Sequence, residues 1–210
     1  MIEFLTKNEI SQDAALWMLM LPIAITIVVV ARQVIGIKGI GVTAPVLIGF
    51  AFAAIGIQAG AIIFLAAIAL TFVTRWLLAN IRLHSLVKIA LILVVTSLGM
   101  LFLIPFIVKN GQGNLPGSVF AFIILVLSME QFAAHLTERG PRKTFLIVLE
   151  TLFAASLVFF TIHLPSLKKF VLSYPQFALA AAILINIALG KWTGLRVLEY
   201  IRFRDLIFKK

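Results

Sequence analysis

Apolar residues in this chain gather in blocks of roughly 15–25 positions, the length that crosses about 30 Å of hydrocarbon at 1.5 Å per residue. Short runs rich in glycine, proline and basic residues separate them. Within the blocks no polar face recurs at helical spacing, so these are not the amphipathic helices of a water-soluble core. The pattern predicts helices over about 14–31, 43–57, 59–79, 85–108, 118–136, 144–163 and 176–193. Alternating apolar and basic residues over 194–210 predict an interfacial amphipathic tail. Ser11 is a candidate N-cap for the first helix, and Pro22 a candidate kink. Between Lys38 and Arg75 lie 36 uncharged residues. As one helix they would measure about 54 Å, too long even for a tilted span. Gln58-Ala-Gly60 is the expected break. The second helix is short and carries Pro45, so a re-entrant segment is an alternative to a crossing. The expected fold class is an all-α polytopic membrane protein, a bundle of seven transmembrane helices or six plus a re-entrant segment.

Composition supports this: 62% of residues are hydrophobic and 12% charged, against roughly half and a quarter in soluble domains. Charge then sets an orientation. In the seven-crossing arrangement fourteen basic residues fall on one side, and Lys7, Lys109, Lys168 and Lys169 on the other. An excess of Lys and Arg marks the cytoplasmic side, so the N-terminus is expected outside and the C-terminus in the cytoplasm. The six-crossing arrangement keeps the C-terminus inside and moves the N-terminus. Glu3, Glu9 and Asp13 against Lys7 are the reverse of a signal-peptide n-region, so the first helix is expected to be retained. The net charge of +10 fits anionic headgroups, and no nucleic-acid motif accompanies it.

Glu130 and Glu150 fall inside predicted spans, where a charge costs about 2.5–3.5 kcal/mol and such groups turn to a bundle interior or wet cavity. With Arg75, Lys88 and Lys191 near the same end, they outline a candidate polar cavity for transport or substrate binding. The alternative is a paired or protonated structural role. His84, His135 and His163 read as helix-end residues. There is no cysteine, no HExxH and no Walker motif, so no metal site, cofactor or nucleotide is expected. Aspartyl membrane proteolysis needs two embedded Asp, and Asp13 and Asp205 lie outside the spans. Ser97 and Ser128 have no histidine convincingly buried beside them. Retinal chemistry needs a lysine deep in the last helix, whereas Lys191 is in its final turn. The chain is therefore not expected to be an enzyme. Gly36, Gly39 and Gly41, with Pro45 and Gln58, mark a helix-break region. It either interrupts the chain near a substrate site or shapes entry into a short helix. Arg139, Arg142, Lys143, Arg196, Arg202 and Arg204 would dock a partner or an anionic product, or anchor on the lipid bilayer.

Leu21-Pro22-Ile-Ala, Ala31-Arg-Gln-Val-Ile-Gly-Ile-Lys-Gly-Ile-Gly41 and Ala44-Pro-Val-Leu-Ile48 together resemble the start of a bacterial seven-helix membrane domain. In that family the domain follows an inactive periplasmic transglutaminase-like domain. Glu138-Arg-Gly-Pro-Arg-Lys143, Tyr174-Pro175 and the run from Gly190 to Arg204 resemble its later segments, in order. Gln176 stands where the family pattern carries an acid after Tyr-Pro, and the soluble domain is absent, which fits a free-standing version or an excised membrane part. The family is distantly similar to a membrane subunit of poly-γ-glutamate capsule synthesis. The resemblance implies a non-catalytic membrane partner for a cytosolic ATP-grasp ligase, making or exporting a peptide-like product. A small secondary transporter and a structural anchor are the alternatives, and a homo-oligomer is a further candidate assembly.

Overall fold

The computed structural model describes residues 12–81, 83–109 and 115–191. The expected Ser11 cap and the tail with Arg196, Arg202 and Arg204 lie outside them. The described chain forms α1 (Gln12–Val30), α2 (Thr43–Ile55), α3 (Ile57–Leu77), α4 (Ser85–Lys109), α5 (Leu115–Arg139), α6 (Pro141–His163), α7 (Pro165–Ser173) and α8 (Pro175–Gly190). Pro22 lies within α1 without ending it. Three of these helices begin on a proline. Its fixed φ and missing N–H suit the first helical position, where that donor has no intrahelical partner.

Side chains sort as they do in lipid. Leu65, Leu98, Phe102, Phe160 and Leu184 face outward, whereas Thr71, Thr74, Thr96, Ser128, Thr144 and Thr151 are buried. Thr71 and Thr96 Oγ1 atoms meet across α3 and α4 at 3.4 Å. Most buried hydroxyls bond the carbonyl four residues back, as Thr71, Ser128, Thr144 and Thr151 do. They therefore bring no unpaired polar group into the bundle. The core centres on α2, whose Ala44, Ile48, Ala51, Phe52 and Ile55 are buried. Phe52, Phe64 and Phe132 stack edge to face, with ring centroids 6.2 and 5.5 Å apart.

Among the described residues five helices are long and apolar enough to cross a bilayer, and α7–α8 form a pair bent by 108°. The bent pair divides its work. In α7, Val171 is buried against Leu19, Met20 and Ala178, while Phe170, Tyr174 and Phe177 form a chain of ring contacts at its junction with α8. From that junction α8 runs alongside α1 in the same direction. Ala178 packs near Leu19 and Met20, Asn186 Nδ2 donates to Thr26 Oγ1 at 2.7 Å, and Gln33 Nε2 donates to the Leu189 carbonyl at 3.2 Å.

At 13 residues, α2 is about 20 Å long, short of a full crossing. Its neighbours nevertheless change in one direction along its length. Ile40, just before it, bonds Thr151 in α6; further along, Gly49 abuts Val158. Thr43 meets Gln131, and Phe50 and Ala54 flank a groove with Phe120 and Ile124 near the opposite end of α5. Helix α2 therefore runs lengthwise against α5 and α6, preceded by the non-helical segment from Gly36 to Val42.

The break between α2 and α3 falls at Gly56, not at Gln58-Ala-Gly60. Gly56 has φ 88° and ψ 148°, a backbone region that essentially only glycine adopts. Gln58 is an exposed residue in the first turn of α3. The reading had followed the polar side chain, whereas the chain breaks where the backbone permits it.

Candidate functional site

Arg32, Gln33, Arg75, Leu136 and Leu189 share one end of the bundle, tied by hydrogen bonds between the ends of α1 and α8 and of α3 and α5. With Arg139, Arg142, Lys143 and Lys191 also there, this is the basic end.

The site starts where α1 stops being an α-helix. Residues Ala31–Ile35 form a wider π turn, closed by Gly36 in the left-handed region with its N–H on the Ala31 carbonyl at 3.1 Å. The chain then runs without helix from Gly36 to Val42. Ile37 and Ile40 are buried among the helices. Thr151, which anchors Ile40, lies about 15 Å along α6 from Pro141. A non-helical segment at such depth is tolerated only if its polar backbone is satisfied or lines a wet cavity.

Both conditions are met. The Lys38 N–H donates to the Glu150 carboxylate, and the Ile40 N–H to Thr151 Oγ1 at 3.1 Å. One guanidinium nitrogen of Arg32, Nη1, donates to the Gly39 carbonyl at 3.1 Å and to the Gly41 carbonyl. At Gly39 the backbone lies so near α6 that an added Cβ would sit 3.1 Å from Thr151 Oγ1. Glycine is what lets the strand approach α6 closely enough for these bonds.

On its other side this segment borders a cavity of about 460 Å³, lined by Arg32, Gln33, Ile37, Lys38, Gly39, Gly41, His135 and Arg139. None of the lining residues is acidic. His135 Nδ1 is buried with no hydrogen-bond partner among the described residues. The N-terminus of α2 opens beside Gly41, and Val42 caps it without a side-chain hydrogen bond. The free N–H groups of that first turn add a positive partial charge.

The sequence-level candidates divide around this cavity. None of Glu130, Glu150, Lys88, Arg75 and Lys191 lines it. Glu150 fixes the segment through Lys38, on a half-buried stretch of α6. Glu130 is exposed on the outer face of α5, on the same stripe as the exposed Ile123 and Leu127, and the structure does not bring it to Glu150. Arg75 donates to the Leu136 carbonyl and ties α3 to α5. Lys88 is half-buried near the start of α4, and Lys191 is exposed after α8. Of the docking residues, Arg139 is on the cavity wall, and Arg142 and Lys143 are exposed in the first turn of α6. Of the helix-break residues, Gly39 and Gly41 line the cavity, Gly36 caps the π turn, and Pro45 is buried in the first turn of α2.

Sequence reasoning did not single out Arg32, Gln33 and Lys38 as site residues, counting the two cations only towards orientation. The available signal was their interleaving with Gly36, Gly39 and Gly41. His135, read as a helix-end residue, is in fact part of the cavity wall. His163, at the end of α6, bonds the Phe159 carbonyl at 2.9 Å. Among the described residues no group of three or more His, Cys, Asp or Glu could hold a metal ion.

Outward leucine and phenylalanine, buried hydroxyls and full-length apolar helices define a polytopic helical membrane protein. Within that class, the chain belongs to the family of seven-transmembrane-helix domains usually fused to an inactive transglutaminase, whose model matches residues 5–207. No curated protein and no solved structure shows significant similarity to it.

Proposed function

We propose that this chain is the non-catalytic membrane component of a system that makes or exports a peptide-like, γ-glutamyl or amide-linked product with a cytosolic ATP-grasp ligase. The observation that carries the reading is the concentration of cations at one end. Arg32, Lys38 and Arg139 surround the cavity there, and Arg142 and Lys143 flank it. By the positive-inside rule that end faces the cytoplasm of a bacterial inner membrane, with the N-terminus outside. A family usually joined to an inactive transglutaminase supports a role in which chemistry is done elsewhere. The exposed side chains of Arg142 and Lys143 suit docking of a soluble partner.

The test is affinity purification of the full chain from native membranes in mild detergent. An ATP-grasp amide ligase is expected to co-purify. A triple charge reversal, Arg139→Glu with Arg142→Glu and Lys143→Glu, should lower its recovery about tenfold or more, since complementary charge is what brings such surfaces together. Absence of any such ligase, or equal recovery with the reversed surface, rules the reading out.

A second reading, a small secondary transporter, is favoured by the unwound segment beside a cavity, the arrangement that transporters use at their binding sites. Its distinguishing sign is solute flux in vesicles containing this chain alone.

A further inference from the structure

We infer that the cavity at the basic end is a binding site for a small anion bearing a carboxylate or phosphate group. The inference does not depend on a ligase partner. It rests on three features of the wall.

The first is uncompensated charge. Arg32, Lys38 and Arg139 converge on one space, and no carboxylate lines it. Glu150, close by on α6, accepts from the Lys38 N–H and does not belong to the lining. Cations held together repel one another, more strongly as the surroundings become less polar. An entering anion relieves that repulsion.

The second is placement. Basic residues that only anchor a bundle on headgroups lie on its rim with their heads in water. Lys38 and Arg139 are exposed at the edge of the space, but Arg32 is half-buried, and its guanidinium is oriented by Nη1 bonds to the Gly39 and Gly41 carbonyls. That leaves Nε and Nη2 as donors in a fixed plane, the geometry that suits two acidic oxygens.

The third is an unused polar atom. His135 Nδ1 is buried and has no partner among the described residues, although His135 belongs to the wall of this cavity. A buried polar atom without a partner calls for a specific explanation, and a ligand acid group supplies one once the imidazole turns its Nδ1–H toward the space. At about 460 Å³ the space is of the size of small-molecule sites.

Such an acid group has two sources, a soluble anion from the aqueous side or the headgroup of a lipid in the adjoining leaflet. The experiment separates them. The full chain, purified in a neutral detergent, is titrated calorimetrically with inorganic phosphate and with glutamate. Both titrations are repeated in bilayer discs of purely zwitterionic lipid and in discs containing phosphatidylglycerol.

Saturable binding of phosphate or glutamate is expected in detergent and in zwitterionic discs. If phosphatidylglycerol abolishes it, the site takes a headgroup; if binding persists, the site takes a soluble anion. Both results support the inference. The double variant Lys38→Gln/Arg139→Gln should weaken binding about tenfold or more, the scale of one charge-assisted hydrogen bond. Among the described residues neither side chain makes a hydrogen bond that holds the segment, so the thermal midpoint without ligand should not fall. Arg142→Gln/Lys143→Gln removes the same charge from side chains that do not line the cavity and should leave binding within about twofold. Absence of saturable binding for both probes, or equal weakening by the two double variants, overturns the site.

Discussion

Valine at position 49 is expected to prevent the bundle from assembling stably. A Cβ at Gly49 would sit 2.6 Å from Val158 Cβ and Cγ1 and 3.0 Å from the Ala155 carbonyl oxygen. Neither neighbour can yield, since Val158 is β-branched and stiff and the Ala155 oxygen belongs to the helix backbone. Close helix approach through small residues is how membrane helices gain packing without a hydrophobic drive. One added methyl, in Gly49→Ala, should cost about 1–3 kcal/mol by overpacking, and Gly49→Val more. The check is the thermal midpoint and monodisperse yield in detergent. Gly190→Ala is the control, because no atom of the described residues lies within 4 Å of a Cβ there. That variant should match or slightly exceed the parent, since alanine is the better helix former.

The second large effect is at Arg32. Removing its side chain in Arg32→Ala leaves the Gly39 carbonyl half-buried without its donor, and the Gly41 carbonyl dependent on cavity water. An unmet buried acceptor costs about 1–3 kcal/mol, and bonds from a charged donor contribute about 1.5–3. The expected loss is about 2–4 kcal/mol, with opening concentrated in the segment from Gly36 to Val42. Hydrogen exchange at the Lys38 and Ile40 amides reads this directly, because both are held by α6 only while the segment stays in place. Arg32→Lys keeps the charge but not the planar fork, so it should restore only part of the protection. Exchange unchanged in both variants would show that Arg32 does not hold the segment.

Bilayer thickness made most of the fold legible. A hydrocarbon slab imposes a length on every span, so block lengths pointed to a polytopic helical bundle, the class that the apolar helices and the family share. Where the reading failed, the deciding property was backbone conformation. The α2–α3 break requires the φ and ψ of Gly56, which composition does not reveal, and the polar Gln58 drew attention instead. Helix α7 was read as a connection, because nine residues are too few for periodicity to stand out.

The site was legible only in fragments. Glycine spacing signalled an interruption after α1, but not that the interrupted chain runs among the helices with Arg32 and Lys38 beside it. Glu130 and Glu150 lie at similar depth from the α5–α6 connection, and depth was all that spacing could give. Which way each points around its helix depends on how the bundle packs. Glu130 lies on an outward stripe and Glu150 reaches the Lys38 N–H.

The central claim is that the segment from Gly36 to Val42 runs within the bundle yet borders a cavity at the basic end. The absence of native cysteine allows a direct measurement, the labelling of single-cysteine variants in oriented vesicles with a membrane-impermeant maleimide. Lys38→Cys should react from the same face as Arg142→Cys and from that face alone, while Leu47→Cys, on the lipid-facing side of α2, should stay unreactive. Reaction of Lys38→Cys from the face opposite Arg142→Cys, or from neither face, would contradict the account.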